Sequence, residues 1–124
     1  MDATGDGVGD FEAVAEGLEG AGIRRGRMMG RPMLSIGGRM FACLVDGGLT
    51  LRLGAGSASY ARALALPGAV VFAPGADRVF RDWVVVPVAH ATTWPEFADA
   101  ALAYAESLPP APPRARPRVP RRER

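Results

Sequence analysis

Apolar and polar positions follow different periods in different parts of this chain, and each period predicts an element. Phe11, Val14, Ala15 and Leu18 recur at helical spacing, with Glu12, Glu16 and Glu19 on the opposite side. This predicts a short helix capped by Asp10 and stopped by Gly20 and Gly22. Residues 24–53 change pattern: three apolar runs are separated by Gly37-Gly38 and by Asp46-Gly47-Gly48. Such glycine separators predict tight turns, and hence a three-stranded antiparallel meander. Its first strand is expected over residues 28–36, bent at Gly30 and Pro32, with the proline marking an edge or a bulge. Residues 39–45 are apolar on both faces, which predicts a central strand. Leu49, Leu51 and Leu53 alternate with Thr50 and Arg52, which predicts a half-buried strand with one wet face.

The second half repeats the two kinds of pattern. Ser57 is placed to cap a helix that runs to about residue 66, where Pro67-Gly68 ends it. Residues 69–72 read as a short strand and Pro74-Gly75 as a turn. Residues 81–88 read as a stronger strand whose Pro87 points to an edge at its far end. Thr93 and Glu96 have the spacing of a capping box around Trp94-Pro95. Phe97, Ala98, Ala101, Leu102, Ala105 and Leu108 then form an apolar stripe, with Asp99 and Glu106 off it. The expected fold class is α+β: an antiparallel β-sheet of about five strands packed against an N-terminal, a middle and a C-terminal helix.

Composition sets the bounds of this body. The chain has 124 residues, of which 48% are apolar, enough for one domain with its own core. Residues 10–108 carry the periodic patterns. Residues 1–9, rich in glycine and acid, and residues 109–124, rich in proline and arginine, are expected to be disordered. Cys43 is the only cysteine, which rules out an internal disulfide and points to a reducing compartment. The first nine residues have no basic region of the kind a secretory signal needs. The longest uncharged run, residues 63–76, is broken by Pro67, Gly68 and Pro74, whereas a membrane span needs about 20 apolar residues. The expectation is a cytoplasmic protein with no membrane partner.

Charge is divided unevenly. The net charge is +2, but the last eleven residues hold six of the fifteen basic groups and one of the thirteen acids. The remainder is therefore faintly acidic, with nine basic and twelve acidic residues. Arg114, Arg116, Arg118, Arg121, Arg122 and Arg124 are the residues expected to contact a polyanion. Nucleic acid held this way would be bound non-specifically, since the tail has no aromatic side chain for base stacking.

The inventory of reactive groups is thin. His90 is the only histidine, so one chain cannot build a triad or a two-histidine metal site. Cys43 lies mid-strand with no histidine or lysine to activate it, and reads as a small core hydrophobe. Asp2, Thr4, Asp6 and Gly7 match the start of a calcium loop, but Ala13 stands where its bidentate glutamate belongs. Asp77 and Asp82 read as surface ion-pair partners of Arg78 and Arg81. No catalytic, cofactor-binding or metal-binding residue is assigned. Arg81, Trp83 and His90 remain as a ligand or partner surface, where the alternative is a small-ligand-binding or enzymatic role. Prolines at strand edges and a weakly charged body also admit a protein partner or a homodimer.

Two short motifs carry a family resemblance. Arg27-Met28-Met29-Gly30 and Gly38-Arg39-Met40-Phe41-Ala42 resemble the opening of the TfoX N-terminal domain, found in TfoX/Sxy competence regulators. The elements over residues 61–108 are similar to the rest of that domain and to the related MmcQ/YjbR group. Met29 replaces the family's phenylalanine, and Arg39 replaces its lysine. Family regulators carry a second, C-terminal domain, where this chain has the basic tail. The resemblance covers about residues 10–108 and implies an α+β domain with an antiparallel sheet and a regulatory or nucleic-acid-associated role. It implies no catalytic residue. With no usable catalytic constellation beside it, the expectation is a non-enzymatic regulatory or adaptor module.

Overall fold

The computed structural model describes residues 7–75 and 77–109. Over these residues the chain forms three α-helices and one six-stranded antiparallel sheet, an α+β arrangement. The elements are α1 (Val8–Gly17), β1 (Arg24–Met28), β2 (Arg31–Ile36), β3 (Arg39–Val45) and β4 (Gly48–Arg52), followed by α2 (Ala58–Leu64), β5 (Val70–Gly75) and β6 (Arg78–Pro87). A short 3-10 helix, Val88–Thr93, leads into α3 (Trp94–Ser107). The strand order is β1-β2-β3-β4-β6-β5.

The sheet has six strands rather than about five because the expected bent first strand is a hairpin. Met29 and Gly30 both take positive φ, 54° and 83°, which is the backbone of a type I′ turn. That turn favours Asn-Gly, so a methionine at its first position hides it from a reading of composition. Pro32 pairs with Arg27 of β1, while the ladder to β3 begins only at Met33, so the proline has a neighbouring strand on one side. The expected bulge falls two residues later, between Leu34 and Ser35. Pro87 is explained similarly. β6 is an interior strand, but β5 begins opposite Val85, leaving Pro87 paired with Gly48 of β4 alone.

The helices cover one face of this sheet. α3 lies on β3 and β4, α1 packs beside α3, and α2 packs on β6. Register explains why the core is continuous. Leu34, Ala42, Leu51 and Val84 are partners in one row across β2, β3, β4 and β6, and each is fully buried. Leu44, Leu49 and Val86 form a second buried row. Trp94 closes the core from α3, its indole Nε1 donating to the Val86 carbonyl at 3.1 Å.

Helix ends depart from the simple cap signals. α1 begins at Val8 rather than Asp10, so residues 7–9 belong to the folded body. Gly7 provides its left-handed cap, φ 74°, beneath the Trp94 ring, where a Cβ would meet Cη2 at 2.7 Å. Only a residue without a side chain fits there. Ser57 caps α2 as expected, its Oγ accepting from the Tyr60 amide at 3.0 Å. The capping box of Thr93 and Glu96 is not formed, because the 3-10 helix runs directly into α3 and Thr93 has helical angles. Thr93 Oγ1 instead donates to the His90 carbonyl at 2.7 Å, and Glu96 pairs with Arg62 at 2.9 Å.

Candidate functional site

The strands' other face is the unusual part of the molecule. Thr50 was expected on a wet face, yet it is 1% exposed. One concavity of about 880 Å³ is lined by residues of all six strands and by no helical residue. Cys43, Thr50, Val85 and Val70 form a row across β3, β4, β6 and β5, and all four line it. This row lies one residue along from the buried helix-side row, so the period-two alternation of the strands sends it to the opposite face.

Two kinds of wall bound this trough. Met28, Met29 and Met40 stand on one side, unbranched and polarizable side chains that adapt to irregular shapes. Phe72 and Phe80 stand on another, edge to face with centroids 5.4 Å apart. Several apolar groups here are open to solvent, including Met28, Val70 and, at 92%, Met29. Met29 also holds its left-handed turn conformation without the help of a turn-forming side chain, a cost of about 1–2 kcal/mol. An apolar, exposed and strained residue at the rim is not there for the stability of the hairpin.

Polar groups in the trough are few. The Thr50 hydroxyl has no hydrogen-bond partner in the protein. Arg31 pairs with Asp46 at 2.9 Å, which raises the guanidinium pKa and lowers that of the carboxyl. Burial pushes the Cys43 thiol up, more than the field of Arg31 pulls it down, so it stays protonated and unreactive at neutral pH. Arg78 lies 5.7 Å from the Phe80 ring centroid. A second concavity, about 280 Å³, lies between α1 and the β1–β2 hairpin and is lined in part by Glu12 and Arg25, themselves paired at 2.7 Å.

The residues singled out from sequence are placed elsewhere. Trp83 pairs with Arg52 at one end of the β4–β6 ladder, and His90 lies beyond Pro87 at the other. Four residues of strand separate those ends by about 13 Å. His90 Nε2 donates to the Pro67 carbonyl at 2.9 Å, holding the 3-10 helix to the turn that follows α2. Arg81 is exposed, and neither concavity is lined by Arg81, Trp83 or His90. Asp82 pairs with Arg52 at 3.8 Å, not with Arg78 or Arg81, and its Oδ1 accepts from the Ala55 amide. The tail arginines, Arg114 to Arg124, lie outside the described residues, as do Asp2, Thr4 and Asp6. Among the described residues no group of three or more His, Cys, Asp or Glu could hold a metal ion, and no helix is long and apolar enough to cross a membrane.

The signal that could have found the trough was residues 39–45, apolar on both faces. That pattern reads as a central strand, and β3 is one, but it also means that a second apolar surface needs an occupant. Comparison with protein-family models, with curated proteins and with solved structures finds no match for this chain.

Proposed function

We propose that the chain is a non-enzymatic regulatory or adaptor module, of the TfoX N-terminal type that its two motifs resemble, and that it works through the uncovered face of its sheet. The observation that carries this reading is the apolar concavity on a face from which all three helices are absent. Soluble domains rarely leave a contiguous apolar surface without a use for it. The groups around the concavity support binding over catalysis: a protonated thiol, a lone hydroxyl and one ion pair hold no nucleophile–base couple.

The test is made in the native host. Met28→Arg and Val70→Arg place charge at exposed positions on the rim, where the fold tolerates it. Ala103→Arg, exposed on α3, is the control. The rim variants are expected to reproduce the transcript profile of a strain lacking the gene, and the control to keep the wild-type profile. Rim variants with a wild-type profile would place the working surface elsewhere.

A further inference from the structure

We infer that the trough is a binding site for a small, mostly apolar carboxylic acid, so that the module is ligand-responsive; this rests on the reading of the open face as the working face. Size is the first argument. About 880 Å³ lies within the range of small-molecule sites, roughly 300–1,000 Å³. The lining is the second: an apolar floor and walls with a small number of polar groups is how such sites combine affinity with orientation.

The third argument is the Thr50 hydroxyl. It is 1% exposed, lines the trough and has no partner in the protein. A buried hydroxyl is ordinarily hydrogen-bonded, and valine would fill the same space without that demand. The hydroxyl is closed to water in the free protein. The head group of a bound acid becomes its accepting partner once an adaptable neighbour, such as a methionine of the trough, turns aside. The acid's apolar body then lies over Val85 and Val70 toward Phe72 and Phe80.

Charge sets the class of head group. Arg31 and Arg78 both line the trough, against one carboxylate, Asp46, which Arg31 already holds. Asp77, next to Arg78 in sequence, does not line it. The balance is one positive charge, which favours an anion over a neutral or cationic ligand. Methionines on the facing wall accommodate chains or rings of different shape, so the site selects a class rather than one compound.

Titration calorimetry of the full chain with decanoate and with decanol tests this. Wild-type protein is expected to bind decanoate at one site per chain, and more tightly than decanol. Thr50→Val should weaken decanoate about tenfold, as for loss of a hydrogen bond to a charged group. Arg78→Glu should weaken decanoate several-fold and leave decanol unchanged, with the difference shrinking as salt is added. Melting curves accompany each variant; Thr50→Val is expected to be at least as stable as wild type, so its loss of binding is not unfolding. The inference is overturned if wild type takes up no decanoate, including because light scattering shows a second copy covering the face. It is equally overturned if Thr50→Val binds decanoate as wild type does. Either result, with rim variants that still behave as the gene deletion in the host, leaves the open face as the working surface with a different occupant.

Discussion

The two faces of this sheet use the same strands for opposite ends. On the helix side, Leu34, Ala42, Leu51 and Val84 lie in the core shared with the three helices and are sealed from water. One residue along, Cys43, Thr50, Val85 and Val70 form a comparable row with no layer above it. The first row is dry, and the Trp94 indole that closes the same side of the sheet is satisfied by the Val86 carbonyl. The second leaves a buried hydroxyl without a partner and methionine and valine side chains in water. Stability resides in the first face. The second departs from what stability alone would select, which is where function is sought.

The sharpest test of that division compares a large side chain from each face. Trp94→Ala removes the centre of the helix side and should cost about 3–5 kcal/mol in chemical denaturation. Phe80→Ala on the open face loses its edge-to-face contact with Phe72 and the burial of a partly exposed ring, together about 2 kcal/mol. Equal losses would mean that the open face is also core.

A neighbouring pair within β4 gives a smaller effect but a change of sign. Leu51→Thr places a hydroxyl in the sealed row and should destabilise by about 2–4 kcal/mol. Thr50→Val, one residue away, removes an unpaired hydroxyl and should be neutral or stabilising by up to about 1 kcal/mol. Met29→Asn at the rim should also stabilise, by about 1 kcal/mol, because asparagine accepts the left-handed turn more readily than methionine does. Thermal melts measure all three. A loss of stability in Met29→Asn would show that the methionine packs in a way its exposure conceals.

The smallest effect is a dependence on pH. Burial raises the Cys43 pKa above its unfolded value near 8.5, so the folded state binds this proton more tightly than the unfolded state does. The stability it contributes is present below that pH and declines as pH rises toward the folded value. Denaturation midpoints should fall above about pH 8.5 in wild type, and by less in Cys43→Ala. Slow alkylation of the folded chain by iodoacetamide at neutral pH is the companion measurement.

Much of the fold was legible because local rules and tertiary packing agree. Phe11, Val14 and Ala15 are buried at the helical spacing they showed, and so are Phe97, Ala98, Ala101, Leu102 and Ala105. Gly37-Gly38 makes the hairpin turn expected of it, and Ser57 caps its helix. Where the reading failed, a local signal met a competitor from elsewhere in the fold. Thr93 has the spacing of a cap, but the 3-10 helix before it leaves no N-terminus to cap. Met29 masks a turn that only Gly30 announces. His90 and Trp83, conspicuous as rare residues, take up structural positions at opposite ends of one ladder.

What the chain determines by itself is most of the elements, the antiparallel order of the hairpins that glycines announce, and the apolar stripe of each helix. These depend on periodicity and on backbone preferences at a few glycines and prolines, and both act over a handful of residues. Only the tertiary structure decided which face of the sheet the helices take. An alternating strand that is apolar on both sides names two buried surfaces without saying what covers either. Here three helices sufficed for one face, and the six strands, concave on the other, left Thr50 and its neighbours at the floor of a trough.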